Sequence, residues 1–340
     1  MAGTALERIE LRNFTAFADL SLDLSPGVNV FIGTNGTGKT HLLKLLYAAC
    51  DVSRSERSFA DKLVRVFLPF QGSMGRMVRR QRGSSTASVS VRRGEATLSV
   101  TFSNHTQLPE RATVQATRWR EHPIECAYIP VKEMLAHAPG FRSLYDTREI
   151  HFEETYADLI TRSYLPKLRG PIDEDRRKLL DIIQQQMRGT VVVQEEEFFL
   201  KSSAGNLEFS LLAEGLRKLA LIWLLIQNGI LLGGSALFWD EPEANLNPAV
   251  MGTVAEILLA LRRLGVQIFV ATHDYVLLKE LSLRTRPDDP VAYHALFRDG
   301  DPEAGVSAST TAALESVHPN AIRETFLSLF DREAARDFAG

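Results

Sequence analysis

Apolar and polar residues alternate along the first part of the chain. The segments "ALERIELRNF" and "FADLSLDLS" have the period of two typical of strands, and "GVNVFIG" is a short apolar strand between glycines. "KTHLLKLLYAAC" and "SFADKLVRVFL" keep apolar residues at helical spacing. "ASVSVRRGEATLSVTF" predicts a hairpin that turns at Arg93-Gly94, and "ATVQATRW" predicts a further strand. These strands are expected to form a mostly antiparallel subsheet.

A different alternation follows in the rest of the chain. "IECAYIP" predicts a buried strand ended by Pro130, residues 131 to about 189 are helical in pattern, and "TVVVQEEEFFLKSSAGNLEFSLL" is strand-like. Helix, strand, helix and strand then come in turn: "EGLRKLALIWLLIQNG", "SALFWD", "VMGTVAEILLALRRLG" and "VQIFVATHD". This order predicts an α/β fold with a mixed β-sheet core, an antiparallel subsheet and a helical insertion. We predict a core from residues 1–50 and 205–340, with 51–204 inserted.

Composition narrows the class of protein. At 340 residues and 45% hydrophobic, the chain can bury a large core. Its two cysteines, Cys50 and Cys126, have no CxxC spacing, which predicts buried thiols in a reducing cytosol. The start "MAGTALERIELRNF" has no long apolar core, and the apolar run 219–239 is broken at 227–229 and 233–234. A cytoplasmic protein with no membrane partner is expected.

The charge is uneven along the chain. The net charge is −3, yet residues 51–120 carry 13 Lys and Arg against five Asp and Glu. A solvated basic face and an acidic partner such as nucleic acid both fit this block. Within the Gly/Ser-rich loop 71–86, Arg76, Arg79, Arg80 and Arg82 occur without an acidic neighbour. Because unpaired guanidinium groups are costly to bury, the loop is predicted to be exposed, mobile and positive.

A phosphate-binding motif follows the third predicted strand. "GTNGTGKT" (33–40) fits G-x-x-x-x-G-K-[ST] and lies between an apolar strand and a helix, as the motif requires. Backbone N–H groups and the helix N-terminus would cradle the phosphates of ATP. Lys39 is expected to reach the β- and γ-phosphates, and Thr40 to ligate Mg²⁺. The full set of expected nucleotide contacts is Gly33, Thr34, Asn35, Gly36, Thr37, Gly38, Lys39, Thr40 and His41.

Adjacent carboxylates end a later apolar strand. In "LFWDEPEANLNP", Asp240 has the place of a Walker B aspartate and is predicted to hold Mg²⁺ beside Thr40. Glu241 follows it and is the candidate base that deprotonates the attacking water. His273, in "FVATHD" after the next buried strand, is a candidate γ-phosphate sensor. Glu241, His273 and Lys39 are therefore the predicted catalytic residues.

Taken together, these motifs resemble the ABC-type ATPases of the SMC/RecF/OLD group. "IELRNFTAFADLSLDLSPGVNVFIGTNGTGKT" resembles the first lobe of that group, and "ATHD" resembles its H-switch. "FWDEPEANLNP" resembles its Walker B and D-loop, with Asn245, Leu246, Asn247 and Pro248 in the place of the D-loop. The likeness spans roughly 5–50 and 205–300, and the chain has no long coiled coil between its halves. The resemblance implies a P-loop NTPase fold of the ABC type, with 51–204 as a variable lid.

The same resemblance implies a signature motif before Walker B. "LLAEGLRKLALI" has that place, so Gly215 is expected to offer backbone donors to a nucleotide, although Ala213 lacks the hydroxyl of the usual motif and Glu214 brings a negative charge. Lys132 and Glu133 are the candidates to replace a Q-loop glutamine. After His273 no acidic cluster of the TOPRIM kind is present in the sequence, so no nuclease domain is expected.

The expected function is that of an ATPase whose two copies sandwich two MgATP. As implied by the resemblance, the copies form a homodimer or higher oligomer and drive an effector protein encoded nearby, as ATPase subunits of anti-phage defence systems do. The alternative is a RecF-like DNA-binding ATPase that uses the basic 51–120 region. A transport ATPase subunit and a nucleotide kinase were weaker fits, because the signature is degenerate and a D-loop has no use in a kinase.

Overall fold

A computed structural model describes residues 5–148, 150–298, 300 and 304–338. Within these ranges the strands, in chain order, are β1 (Arg8–Phe14), β2 (Phe17–Asp23), β3 (Val28–Gly33), β4 (Thr86–Arg93), β5 (Ala96–Ser103), β6 (Thr113–Thr117), β7 (Cys126–Ile129), β8 (Thr190–Gln194), β9 (Glu197–Ser202), β10 (Gly205–Glu208), β11 (Ala236–Asp240), β12 (Gln267–Thr272), β13 (Val291–Phe297) and β14 (Ser307–Thr311). The α-helices are α1 (Lys39–Asp51), α2 (Phe59–Phe67), α3 (Phe141–Arg148), α4 (Glu154–Ser163), α5 (Glu174–Met187), α6 (Glu214–Gln227), α7 (Met251–Arg263), α8 (Tyr275–Arg284) and α9 (Ala321–Phe338).

A central sheet has the strand order β14-β13-β3-β12-β11-β7. Every pair in it is parallel except β13 with β14. Parallel strands end at the same edge of a sheet, and ligands of such sheets bind beyond their carboxyl ends. The register therefore brings the ends of β3, β11 and β12 together, with β12 between the other two. Gly33, Asp240 and Thr272 meet at this edge.

The central sheet is buried on both faces, which explains its continuous apolar strands. Along β3, Val28, Val30 and Ile32 pack into the core formed with α4, α5, α6 and α7. Phe31 points to the opposite face and joins the core formed with α1 and the antiparallel sheet. Side chains alternate between faces with a period of two, so one short strand supplies both cores.

The antiparallel sheet has the order β2-β1-β4-β5-β6. Ile9 of β1 lies opposite Leu22 of β2 on one side and opposite Val91 of β4 on the other. The predicted hairpin is confirmed, because Arg93 pairs with Ala96 where β4 turns into β5. The apolar residues of this sheet bury α1, which carries the phosphate-binding motif at its N-terminus.

Strand pairing distributes residues 51–204 over the whole fold. β4, β5 and β6 join β1 and β2, and β7 lies at the edge of the central sheet beside β11. A boundary at residue 51 thus does not coincide with a boundary between sheets. The segment also contains the helices α2, α3, α4 and α5 and the strands β8 and β9, which form a small sheet with β10, the strand that follows the segment. The division into a core and an insertion remains a prediction, with β7 serving the central sheet.

The arginine-rich segment 71–86 is only partly a loop. Short 3₁₀ turns occur at Phe70–Gly72 and Met74–Met77, and the second of these buries both methionines. Val78 is buried too and forms a β-bridge with Phe14. These apolar residues anchor the segment to the core. The spacing of the arginines gives no sign of this anchoring. The guanidinium-bearing residues Arg76, Arg80 and Arg82 are nevertheless exposed, and Arg79 is half-buried.

Elements beyond the histidine at 273 had no counterpart among the sequence predictions. α8 follows it directly, β13 pairs with β3 in the central sheet, and β14 pairs with β13. β13 has the sequence "VAYHALF", with His294 fully buried in the sheet. A buried histidine in a strand interrupts the apolar pattern, and the strand is recognisable only from its pairing.

Candidate functional site

The phosphate-binding loop has a shape that side chains would prevent at two positions. Gly33 has φ 153°, and a Cβ there would lie 2.3 Å from the backbone oxygen of Leu296. Gly38 has φ 90°, and a Cβ there would lie 2.5 Å from Cζ of Phe17. The glycines thus let the backbone approach β13 and the β1–β2 turn closely. Thr34, Asn35 and Gly36 are exposed at the tip of the loop.

Internal hydrogen bonds hold the loop in a ring. Lys39 Nζ donates to the backbone oxygens of Gly33 at 2.7 Å and Thr34 at 3.1 Å. Thr37 Oγ1 also donates to the Thr34 oxygen, at 2.8 Å, and Arg298 donates to the oxygen of Gly36 at 3.1 Å. The ammonium of Lys39 therefore lies inside the ring that the backbone forms. A phosphate placed there would meet a positive charge and free N–H groups.

Burial lowers the pKa of Lys39, and the nearby carboxylates of Glu241, Asp240 and Glu243 oppose that effect. The sequence separates these carboxylates from Lys39 by two hundred residues, and the parallel register of β3, β12 and β11 brings them close. The predicted Walker A and Walker B residues are thus assembled into one site.

Asp240 is a buried carboxylate held by two hydroxyl groups. It is 3% exposed, and Tyr128 Oη donates to its Oδ2 at 3.2 Å. Burial raises the pKa of Asp240, and hydrogen bonds from Thr40 and Tyr128 work against that rise. Thr40 and Asp240 are therefore in contact, as the motif predicts. Tyr128, on β7, had not been identified from the sequence, since "CAYIP" carries no signal except its burial.

Lys44 and Glu153 form an ion pair close to this carboxylate. Lys44 lies one turn after Thr40 on α1, and its positive charge opposes the rise in the pKa of Asp240. Glu153 directly precedes α4. Burial raises the pKa of Tyr156, and the negative charges of Glu153 and Asp240 raise it further. The helical segment after β7 therefore reaches the side of the site that contains Thr40 and Asp240 through its charged residues. Neither Lys44 nor Glu153 belongs to a recognised motif.

Glu241 has a strained backbone and a partly exposed side chain. Its φ is 46°, and its N–H donates to the backbone oxygen of Ala271 at 2.9 Å. Non-glycine residues in this region of φ/ψ space store strain and cluster at functional sites. Oε1 lies 3.4 Å from Nδ1 of His273, whose side chain is 49% exposed. The structure thus brings together the predicted base and the predicted γ-phosphate sensor.

Glu243 positions the segment that carries the histidine. Its Oε1 accepts a hydrogen bond from Thr272 Oγ1 at 2.8 Å and another from the N–H of His273 at 3.1 Å. Burial raises the pKa of Glu243. The second glutamate of "DEPE" had no role assigned from the sequence. Its role in the structure is to tie the loop after β11 to the loop after β12.

The segment at 212–216 lies against the D-loop of its own chain. A Cβ on Gly215 would lie 2.6 Å from Cδ2 of Leu246 and 3.2 Å from the Asn245 oxygen. Lys218, fully buried on α6, donates to the oxygen of Ala244 at 2.6 Å. Among the contacts of the described residues, Gly215 meets the D-loop and not the phosphate-binding ring.

The segment after β7 is joined to α6 by an ion pair. Glu133 has a buried side chain, and its Oε2 lies 2.5 Å from Nε of Arg217. Burial raises the pKa of Glu133, while a hydrogen bond from Leu135 and the charge of Arg217 oppose the rise. Lys132 is exposed. As a candidate Q-loop substitute, Glu133 therefore has its carboxylate engaged by α6.

His41 contributes to this region through packing. Its ring lies 5.4 Å from the ring of Phe67, and burial lowers its pKa to about 4, so the imidazole is neutral near pH 7. A contact between His41 and a nucleotide would thus come from its backbone.

The donor set fits Mg²⁺. A hydroxyl and a carboxylate supply hard oxygen ligands, and this ion usually takes one or two protein ligands with the rest from phosphates and water. Within the described ranges, no group of three His, Cys, Asp or Glu residues could enclose a metal ion alone.

No helix of the described chain is both long and apolar enough to cross a membrane.

Comparison with known proteins gives a family and a set of relatives for this chain. A family model described as "AAA domain, putative AbiEii toxin, Type IV TA system" matches residues 28–279. The DNA replication and repair protein RecF of Lactobacillus gasseri is 42% identical over 77 residues, 22% of this chain and 20% of that protein. RecF of Listeria welshimeri is 41% identical over 76 residues, again 22% and 20% of the two chains. This chain thus matches about a fifth of the length of these relatives.

Solved structures share the fold at low identity. A crystal structure of an SMC head bound to the C-winged helix domain of ScpA has TM-score 0.55 and 12% identity, covering 92% of this chain and 100% of the other. An SMC head from Pyrococcus furiosus with an extended coiled coil, bound to the C-terminal domain of ScpA, has TM-score 0.51 and 9% identity, covering 97% and 99%. The chain belongs to the AAA-domain family named above and has the ABC-type fold of SMC head domains.

Proposed function

We propose that this chain binds MgATP and hydrolyses it to ADP and phosphate. The observation that carries the proposal is the convergence of Lys39, Asp240, Glu241 and His273 at one edge of the central sheet. Each has the chemistry that phosphoryl transfer to water requires: a cation for the phosphates, a metal ligand, a base and a polar contact.

Thr40 and Asp240 would hold Mg²⁺, which when bound neutralises charge on the β- and γ-phosphates. Lys39 and the N–H groups of residues 33–40 would fix the phosphates in the ring. Asp240 is suited to a structural role because it is buried and bonded to Tyr128. Glu241 is more exposed, with 28% of its side chain accessible, so it can meet a water molecule.

Glu241 acts as the base in this proposal. The water oxygen bonds to the γ-phosphorus as the bond to the β–γ bridging oxygen breaks, and the water proton passes to the Glu241 carboxylate. His273 lies beside that carboxylate and would donate to a γ-phosphate oxygen. Glu243 accepts a hydrogen bond from the backbone N–H of His273, and this bond holds the residue so that its imidazole lies near the reacting groups.

Two copies are needed in this proposal to complete each site. Gly215 packs against the D-loop of its own chain and not against the phosphate-binding ring of that chain. A second copy facing the first would present its Gly215 segment and D-loop to the γ-phosphate. The pair Lys218–Ala244 and the pair Glu133–Arg217 would then transmit the closure to the helices within each copy.

The test compares two variants with the wild-type chain. Lys39→Ala should lose ATP binding, measured with a fluorescent ATP analogue, because the phosphates lose their main counter-cation. Glu241→Gln should bind ATP normally and lose turnover by about a hundredfold or more. It should also accumulate as an ATP-dependent dimer in light-scattering measurements. Full hydrolysis by Glu241→Gln would exclude Glu241 as the base, and a monomer with ATP bound would exclude the two-copy site.

We propose that the ATP cycle drives an effector protein encoded nearby, and that the two proteins act in anti-phage defence. The support for a second component is the wording of the family description, which names a putative toxin and a type IV TA system. Co-expression with neighbouring gene products, followed by purification with ATP in the Glu241→Gln variant, tests this. Absence of any co-purifying neighbour would count against it.

DNA binding is the second candidate. RecF relatives are DNA replication and repair proteins by name, and exposed arginines lie in the segment that contacts the β1–β2 turn. That turn packs against Gly38 through Phe17, so a ligand on the arginines would lie near the nucleotide.

A further inference from the structure

Among the described residues, those that anchor the helix α9 to the rest of the chain lie in its first turns. Asn320 Oδ1 accepts from the N–H of Arg323 at 3.1 Å and so begins the helix. Ile322 is half-buried against the main core. The ring of Phe326 stacks on the ring of Tyr275, with the two ring centroids 4.4 Å apart. Tyr275 lies two residues after His273. The start of α9 is therefore fixed beside the loop that carries the candidate sensor.

Beyond Phe326 the helix extends into solvent. Every residue from Leu327 to Asp337 is exposed, and Leu327, Leu329 and Phe330 are 49%, 46% and 61% exposed. A helical segment of about three turns is marginal in water without tertiary packing. Large apolar residues grouped on such a segment indicate a surface that another element covers.

One stripe along α9 has the spacing of a helix–helix contact. It consists of Arg323, Leu327, Phe330, Ala334 and Asp337, which follow one another at intervals of four, three, four and three residues. That 4-3 alternation keeps residues on one seam of a helix pair. The stripe has a cation at its first position, apolar residues in its middle and an anion at its last.

This order is self-complementary when two copies run in opposite directions. With Phe330 at the centre of the pair, Arg323 lies opposite Asp337, and Leu327 lies opposite Ala334. Large and small apolar residues then interdigitate on either side of two facing phenylalanines. A parallel pair would place Arg323 on Arg323 and Asp337 on Asp337, which repel each other.

We propose that α9 is an interface between two copies of this chain, paired antiparallel along the stripe 323–327–330–334–337. The contact needs no nucleotide, because none of these residues belongs to the ATP site. It is separate from the ATP-dependent association proposed above, and both together would build assemblies larger than a dimer. Through the Tyr275–Phe326 stack, the interface lies next to the segment that follows His273.

Cross-linking tests the direction of the pair. Leu327→Cys and Ala334→Cys are made separately in the full chain, mixed without nucleotide and treated with bismaleimidoethane. The antiparallel pair brings position 327 of one copy beside position 334 of the other. Two residues at 327 would lie about 9 Å apart along the axis in that arrangement. The native Cys50 and Cys126 are buried, so the added thiols are the reactive ones.

The mixture should give at least fivefold more cross-linked dimer than either variant alone. Arg332→Cys, at an exposed position on the opposite side of α9, is the matched control and should give little. Stronger cross-linking of Leu327→Cys alone would indicate a parallel pair and overturn the proposal. Equal, low cross-linking of all mixtures would overturn it as well.

A charge exchange gives a second measurement by sedimentation. Arg323→Asp should weaken the nucleotide-free dimer about tenfold, and so should Asp337→Arg. The double variant should restore the dimer, because each pair is then reversed. A wild-type chain that stays monomeric at tens of micromolar without ATP, or a double variant that is not restored, would contradict the proposal. Repeating the experiment in Lys39→Ala, where the dimer should persist, separates this interface from the ATP-dependent one.

Discussion

His294 is a fully buried histidine within β13, stacked on Phe31 with ring centroids 5.1 Å apart. Nε2 lies 3.1 Å from Oδ1 of Asn29, and Nδ1 lies 2.9 Å from Oγ1 of Thr310. Oδ1 of Asn29 also accepts from the N–H of Ser25, so it is the acceptor for a ring N–H. The neutral imidazole, donating from Nε2 and accepting at Nδ1, satisfies every partner.

Burial lowers the pKa of His294 from 6.5 to about 4. Since the folded pKa lies below the unfolded one, its contribution to stability is fully present above pH 6.5 and is lost as the pH falls towards 4. The loss amounts to roughly 3 kcal/mol. We predict that the free energy of unfolding of wild type, minus that of His294→Gln, falls by about this amount between pH 7.5 and 4.5. Urea titrations over this range provide the measurement, and a pH-independent difference would contradict the burial of a neutral imidazole.

The two adjacent carboxylates at 240 and 241 show how neighbours acquire different roles. Asp240 continues the strand and points into the buried region with Tyr128 and Thr40. Glu241 has left-handed backbone geometry, which turns its side chain towards His273. The change of backbone direction between the two residues thus separates a metal ligand from a base in the proposed mechanism.

At the scale of elements, α1, α2 and α4 are joined by a buried charged cluster. Lys62 of α2 is fully buried and lies 2.6 Å from Asp158 of α4 and 2.7 Å from Asp51 of α1. Arg162 of α4 also pairs with Asp51, at 2.5 Å. Burial by itself would lower the pKa of Lys62, but Asp158, Asp51 and Glu154 outweigh it and the pKa is raised. The phosphate-binding helix is thereby attached to the helical segment.

Removing the central cation should be costly. Lys62→Met removes the central buried cation, so that Asp51 and Asp158 share the charge of Arg162, and the free energy of unfolding should fall by about 3–5 kcal/mol. Lys178→Met is the matched control, because Lys178 pairs with Glu174 on an exposed helix surface and should leave stability unchanged within error. Denaturant titration of both variants at pH 7 measures the difference. Similar stability of the two variants would show that the cluster is not required.

The contact between α6 and the D-loop should affect hydrolysis more than binding. Gly215→Ala would push Leu246 and the Asn245 backbone away, so ATP turnover should fall about ten- to a hundredfold while ATP binding to the same chain is kept. Leu246→Ala in the same chain removes the nearer obstacle and should restore part of the turnover. The measurement is steady-state phosphate release together with ATP affinity. Unchanged turnover in Gly215→Ala would mean that the close approach has no catalytic role.

At the scale of the whole molecule, the arginines of segment 71–86 distinguish the two proposed outputs. If DNA binds there, changing Arg76, Arg79, Arg80 and Arg82 to Ala should weaken binding equally for all duplex sequences. The slope of log affinity against log salt should flatten by about two to four, since each phosphate contact contributes about 0.9. Fluorescence anisotropy at several salt concentrations measures both effects, and basal ATPase activity should not change.

A control removes positive charge elsewhere on the surface. Arg169 and Arg177 are exposed, outside the arginine-rich segment, and their change to Ala should leave the salt slope unaltered. If neither variant alters DNA binding, or wild type does not bind DNA, the arginines form a solvated face. Loss of a co-purifying protein in the four-arginine variant would instead assign them to a protein partner.

Local sequence determined the phosphate-binding ring, the carboxylates after β11 and the order of most strands and helices. These features follow from short-range chemistry: glycines that permit positive φ, a cation next to a helix start, and apolar runs with a defined period. The mixed α/β fold and its ABC type were predicted from the same motifs, and the sheet topology and the fold shared with SMC heads confirm them. The roles of the individual site residues remain proposals.

Tertiary structure decided everything that depends on contacts between distant residues. Tyr128 meets Asp240 because β7 pairs with β11, and Glu133 meets Arg217 because the segment after β7 packs on α6. The arginine-rich segment looked like a free loop, yet its methionines anchor it. Burial and pairing partners are properties of the packed chain, since hydrogen bonds and desolvation act on whichever groups the fold brings within a few ångströms. The sequence alone therefore indicates which groups are present, and the fold decides which of them act on each other.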